Sequence, residues 1–274
     1  CSASDVYSFA MIAYKLISNE NHFPEINSKI IRNVCVKNLR PKFDESVPEC
    51  YCKLIEKCWS NDPKERPTFD EILYHLKTNS DFINDSRINK DEFQGYVNMI
   101  DKYQSFQNSL QIEDFINSNN TVFRKVQVDF DKLRNPSITF SINIGSIDLN
   151  KFEKRKKIGS GSFGNVYHIY DKETENLYAA KISKYETDQC EDITIINLSR
   201  EINIISKLDH LSILKYIGFS PTNLKNRHKP VIITELAING SLDEVIEKER
   251  MSCGLHEWND TKKLINIYGI ASGM

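Results

Sequence analysis

The sequence predicts an α+β fold in two pieces, a helical stretch first and a strand-rich stretch second. Three observations carry this. Val6, Phe9, Ala10, Ala13, Leu16 and Ile17 recur at helical spacing near the start, a stripe wide enough for a buried helix. Gly159, Gly161 and Gly164 form a G-x-G-x-x-G pattern, with alternating, strand-like stretches on both sides. Glu201, Ile204, Ile205 and Leu208 then share one helical face.

In chain order, Ser4-Asp5 reads as a helix start, with Asp5 as a cap for free backbone amides. Phe23-Pro24 and Arg40-Pro41 break the chain into short elements. Residues 51–58 are again helical in period. Pro63 and Pro67 constrain a turn, and Thr68 caps a helix predicted over 69–76. Residues 79–150 are rich in Asn, Asp, Ser and Lys and read as a linker. Within it, Phe93, Tyr96, Val97, Ile100 and Tyr103 mark an amphipathic helix, which docks on its own domain or on a partner. No motif stands out beyond Ser105. Residues 118–121 read as a loop, and Asn135-Pro136-Ser137 as a turn.

The glycine pattern alone fits a dinucleotide loop, a phosphate loop or a flexible turn. In a dinucleotide-binding fold the last glycine opens a helix. Here a period-2 run, 166–170, follows Gly164, then a polar turn over 171–176 and a second apolar strand over 177–182. The glycines therefore lie in a strand-turn-strand hairpin, preceded by a strand over 152–158. Glycine there lets backbone amides approach phosphate oxygens closely. A helix is predicted over 193–208, and a carboxylate such as Glu201 on its apolar stripe needs a partner. Strands follow over 213–219 and 231–234. Asn239-Gly240-Ser241 is a turn and cap before a helix over 242–248, and a last helical segment runs from Thr261.

These residues resemble protein kinases. Gly159 to Val166 follow the kinase G-x-G-x-x-G-x-V loop, and Tyr178-Ala179-Ala180-Lys181 stands for V-A-I-K. Glu201, nine residues before His210, fits the kinase αC helix. The run from Val231 to Leu242 resembles the fifth strand and hinge, and the end of the chain resembles the first half of the long helix of the C-lobe, which closes I-A-x-G-M. In the first piece, Ser4 to Ala10 resembles the start of the central C-lobe helix, with Ala10 in place of the usual glycine. Cys58-Trp59 to Phe69 resembles the C-W-x-x-D-P-x-x-R-P-T-F signature of tyrosine kinases and tyrosine-kinase-like kinases.

The resemblance implies an ATP site of Ile158, Gly159, Ser160, Gly161, Ser162, Phe163, Gly164, Val166, Ala179, Lys181, Thr234, Glu235 and Ala237. In it Val166 and Ala179 cover the adenine, Thr234 is the gatekeeper, and the Glu235 carbonyl and Ala237 amide meet the adenine edge. Lys181 holds the α- and β-phosphates and pairs with Glu201. Asp5 would hold the backbone of the catalytic loop, and Arg66 would pair with the glutamate of A-P-E. Mg²⁺ is implied for a complete domain, with ATP and a protein hydroxyl as substrates.

The aspartate base of H-R-D and the Mg²⁺ aspartate of D-F-G do not occur in the 274 residues. C-lobe features fill 1–78 and N-lobe features 151–274, with 79–150 between. This order implies a fragment of a tandem-kinase polypeptide, inactive by itself, with catalytic motifs expected before Cys1 and after Met274. A pseudokinase scaffold is the alternative. A small-molecule kinase does not suit the Cys58–Phe69 segment, and a circularly permuted single kinase would need the catalytic loop inside 79–150. A net charge of -2 argues against nucleic-acid and membrane partners. No run approaches the roughly 18 apolar residues of a membrane span. Seven irregularly spaced cysteines suggest reduced thiols and a cytoplasmic protein. Cys50, Cys52 and Cys58 invite a zinc reading but lack a second pair of ligands.

Overall fold

The chain packs into two compact units, residues 1–104 with 240–274 and residues 105–239. The computed structural model describes residues 2–18, 34, 39–117, 147–162, 164–186, 200–253 and 257–274, with the backbone alone for 108–117.

The first unit is helical. Helix α1 (Ser2–Ile17) buries Val6, Phe9, Ala10, Ala13 and Leu16, the predicted stripe. Helix α2 (Glu49–Cys58) adds Leu54, Ile55 and Cys58 to the same core. The turn after it leads into α3 (Phe69–Thr78), where Thr68 and Glu71 form a reciprocal cap. The Thr68 hydroxyl accepts from the Glu71 amide at 3.2 Å, and the Glu71 carboxylate accepts from the Thr68 amide at 2.7 Å. A short helix α4 (Ser80–Ile83) buries Phe82 edge-on against Tyr51, with ring centroids 4.9 Å apart. Helix α5 (Lys90–Asn117) buries Phe93, Val97 and Ile100, so its predicted stripe docks within the chain.

Two helices from the end of the sequence complete this unit. They are α6 (Leu242–Arg250), capped reciprocally by Ser241 and Glu244, and α7 (Asp260–Ser272), capped by Asn259. Ile246, Leu264, Ile267, Tyr268 and Ala271 belong to the same core as α1 to α5. The sequence groups 240–274 with the strands that precede it. Packing groups it with 1–104, because the α7 stripe meets the faces of α1 and α3.

The second unit centres on an antiparallel sheet in the order β1-β2-β3-β5-β4. The strands are β1 (Phe152–Ser160), β2 (Gly164–Asp171), β3 (Leu177–Ser183), β4 (Tyr216–Ser220) and β5 (Val231–Glu235). One face buries Phe152, Ile169, Ala180, Ile182, Val231 and Ile233 with Leu149. The other carries a smaller cluster of Ile202, Phe219 and Ile232.

Several expectations need correction. Helix α1 starts at Ser2, so Asp5 lies exposed in its first turn, where it favours the helix dipole rather than capping the start. Helix α5 runs past Ser105 to Asn117; no Gly or Pro interrupts residues 96–117, so the helix continues without penalty. Residues 200–205 are helical, but the end tightens into i→i+3 bonds at Lys207 and Leu208, short of the predicted 208. The buried residue there is Ile202; Ile204 is 60% exposed, so the predicted stripe is not the buried face. Phe23-Pro24, 118–121, Asn135-Pro136-Ser137, Phe163 and residues 193–199 lie outside the described residues.

The β2–β3 turn has its own electrostatic lock. Asp171 is 2% exposed, and burial by itself would raise its pKa. Amide hydrogen bonds from Glu173 (2.9 Å) and Thr174 (3.3 Å), with Lys151 at 3.2 Å, together hold it below the usual value of 3.8. A depressed folded pKa contributes stability above the unfolded pKa, and that contribution is lost as pH falls through the folded value. Asp171→Ala should therefore destabilise the sheet at pH 7 and narrow the gap in melting temperature between pH 7 and pH 3. A gap as wide as that of the wild type would contradict the lock.

Candidate functional site

Directly opposed residues in an antiparallel sheet share a face. Val166 lies opposite Lys181, Lys181 opposite Ile232, and Ala179 opposite both His168 and Thr234. Val166, Ala179, Lys181 and Thr234 therefore project from one face, the one that also carries Ile232. Lys181 sits between the two core-facing residues Ala180 and Ile182, so period 2 turns it away from the larger core.

The glycine loop closes β1 onto β2. The Gly161 amide donates to the Gly164 carbonyl at 2.9 Å, and the Ser160 hydroxyl bonds Asn165 Oδ1 at 2.8 Å. A Cβ at Gly164 would sit 2.8 Å from the Ile182 carbonyl oxygen, so this close backbone approach requires glycine. At Gly161 a Cβ would meet none of the described residues within 4 Å. Lys184 donates to the Gly161 carbonyl at 2.5 Å, a tether that the sequence reading missed. Ile158 is 42% exposed at the start of the loop, and Ser160 and Ser162 are exposed on it.

Lys181 Nζ lies 2.5 Å from Glu201 Oε1. The two side chains are 36% and 38% exposed, and pairs that wet contribute at most about 1 kcal/mol. The pair therefore matters chiefly for position: it fixes the ammonium at mid-strand on the face with Val166 and Ala179. Its footing is Ile202, fully buried beside Phe219 and Ile232.

At the end of β5, the Thr234 hydroxyl donates to the Glu235 carbonyl at 3.1 Å. The Glu235 amide donates to the Lys215 carbonyl at 2.9 Å, and its carboxylate accepts from the Lys215 amide at 2.8 Å. Glu235 thus pins the segment before β4 to the strand end, a side-chain role not evident in the sequence. Ala237 is exposed beyond it. Tyr216, opposite Thr234, was also missed. Its hydroxyl is buried without a hydrogen-bond partner among the described residues, and burial pushes its pKa up.

In the helical unit, Arg66 donates to the carbonyls of Ser60 and Ala3, each at 2.8 Å, and stacks over Tyr7 at 5.0 Å. It ties the turn before α3 to the start of α1. Burial pushes the Cys50 thiol up to about 11 and Cys58 up to about 12, which keeps both protonated at neutral pH. Among the described residues no group of three or more His, Cys, Asp or Glu is placed to hold a metal. No described helix is long and apolar enough to cross a membrane.

Comparison with known proteins finds protein kinases for both segments of the chain. A protein kinase domain model matches residues 152–267, and a protein tyrosine and serine/threonine kinase model matches residues 1–76. Among curated proteins of Dictyostelium discoideum, a probable serine/threonine-protein kinase is 44% identical over 77 residues, 27% of this chain and 5% of its own length. Dual specificity protein kinase shkE is 39% identical over 75 residues, 27% of this chain and 11% of its own. Dual specificity protein kinase pyk3 is 26% identical over 257 residues, 90% of this chain and 16% of its own. The chain spans only a small part of each of these relatives. Matched by kinase models on both sides of residues 77–151, the chain belongs to the protein kinase superfamily, and the tyrosine and serine/threonine kinase match of residues 1–76 fits the tyrosine-kinase-like group.

Proposed function

We propose that residues 151–274 supply the ATP-binding part of a kinase that transfers the γ-phosphoryl group to protein hydroxyls. The observation that carries this is the Lys181–Glu201 pair on the sheet face with Val166 and Ala179, beside the glycine loop at Gly164. Ile158, Val166, Ala179 and Thr234 would enclose the adenine, with the Glu235 carbonyl and Ala237 amide at its edge. The Gly159–Gly164 loop and Lys181 would hold the phosphates. Asp5 would hold the backbone of a catalytic loop, and Arg66 would pair with an A-P-E glutamate. Mg²⁺ would accompany the nucleotide in a complete domain, whose D-F-G aspartate is not among the 274 residues. The protein substrate is a further expectation of this reading, as is a cytoplasmic location.

We further propose that 1–78 and 151–274 come from successive kinase domains joined by 79–150. Two kinase models match in this order, and one relative aligns across both segments in a single stretch of 257 residues, which supports the reading. The catalytic base and the D-F-G aspartate are not among the 274 residues, so the chain by itself is proposed to be inactive.

Calorimetric titration with ATP and with adenosine tests the site. Both should bind the chain. Ala179→Leu should weaken both about tenfold or more, by filling the adenine face, whereas Lys181→Met should weaken ATP and leave adenosine nearly unchanged. Absence of nucleotide binding, or equal losses for ATP and adenosine in Lys181→Met, would sink the assignment.

In a radiolabelled-ATP assay, phosphate transfer by the purified chain should equal the enzyme-free blank. Transfer that survives purification and vanishes in Lys181→Met would overturn the inactivity.

A further inference from the structure

The helix that completes the 1–104 core comes from the other matched segment. Residues 1–76 match one kinase model, and the match that starts at the sheet ends within α7, at residue 267. Its stripe of Leu264, Ile267, Tyr268 and Ala271, spaced i, i+3, i+4, i+7, is at most 3% exposed. Tyr268 packs edge-on to Phe93, with ring centroids 5.7 Å apart, and α7 also packs against α1 and α3.

Polar contacts fix its register. Thr261, 2% exposed, accepts from the Asn89 amide at 2.8 Å and donates to the Arg87 carbonyl at 3.5 Å. Lys262 pairs with Glu92, and Asp243 at the start of α6 pairs with Lys15. Inside the segment, Lys263 is 7% exposed and held by Glu249 at 2.7 Å, which ties α7 to α6.

We propose that the two kinase-like segments share one helical lobe: the face formed by α1, α3 and α5 is a docking surface whose occupant is α7. The lobe of 1–104 is then one cooperative unit with 240–274. Because the α7 stripe is wholly buried there, α7 cannot serve a second lobe at the same time. Capture of α7 by the upstream segment and assembly of a separate downstream lobe therefore exclude each other. The proposal rests on the kinase reading of these helices, but its test reads folding and is independent of nucleotide binding.

Hydrogen exchange on the full chain decides it. Leu264→Ala should speed amide exchange in α1 and in residues 90–104 about tenfold or more, leaving β1 to β3 at wild-type protection. Faster exchange confined to α7 and the sheet, with α1 and 90–104 unchanged, would overturn the shared lobe. If Leu264→Ala unfolds the whole chain, charge exchange decides instead. Lys262→Glu should speed exchange in 90–104, and adding Glu92→Lys should restore it; a double variant no better than Lys262→Glu alone overturns the proposal.

Discussion

The candidate site depends on one constraint: an ammonium on a sheet face must be held by a carboxylate from a separate helix. Lys181 and Glu201 meet at 2.5 Å, yet both remain more than a third exposed. Coulomb attraction in so wet a place is weak, so the pair does little for stability. Its effect is geometric. It requires residues 200–205 to lie against the sheet, and Ile202, packed against Phe219 and Ile232, supplies the apolar contact that keeps them there. Burial positions the helix, and the ion pair aims the lysine.

Around that pair the backbone does most of the shaping. Gly164 approaches the Ile182 carbonyl too closely for any side chain, while at Gly161 a Cβ would meet none of the described residues within 4 Å. Glycine is thus required by packing at Gly164 and not at Gly161. At the far end of the face, Glu235 binds both backbone groups of Lys215 and holds the end of β5 in place. The face from Val166 to Thr234 is therefore tied by backbone contacts at both ends.

Local features were legible in the sequence and distant ones were not. The stripes of α1 and α5 and the alternation of β2 and β3 appeared where the residues put them, because each element buries its own periodic face. The Thr68 and Ser241 caps were legible for the same local reason. Glu201 and Lys181 could be paired through the family pattern. The Ile202 footing was misread, because Ile204, Ile205 and Leu208 offer an equally good stripe and only the sheet decides which face is covered. The Lys184 tether, the Tyr216 hydroxyl and the docking of α7 on a core that starts at Val6 depend on contacts between distant residues, which no periodicity records.

The central claim is that Lys181 and Glu201 act as one phosphate-holding pair. The most direct measurement is ATP affinity across a double-mutant cycle of wild type, Lys181→Met, Glu201→Gln and the double variant. The account predicts that Glu201→Gln weakens ATP in the wild-type background but changes nothing once Lys181 is Met, since the carboxylate acts only through the ammonium. Full additivity of the two losses would show that the side chains act separately, and would contradict it.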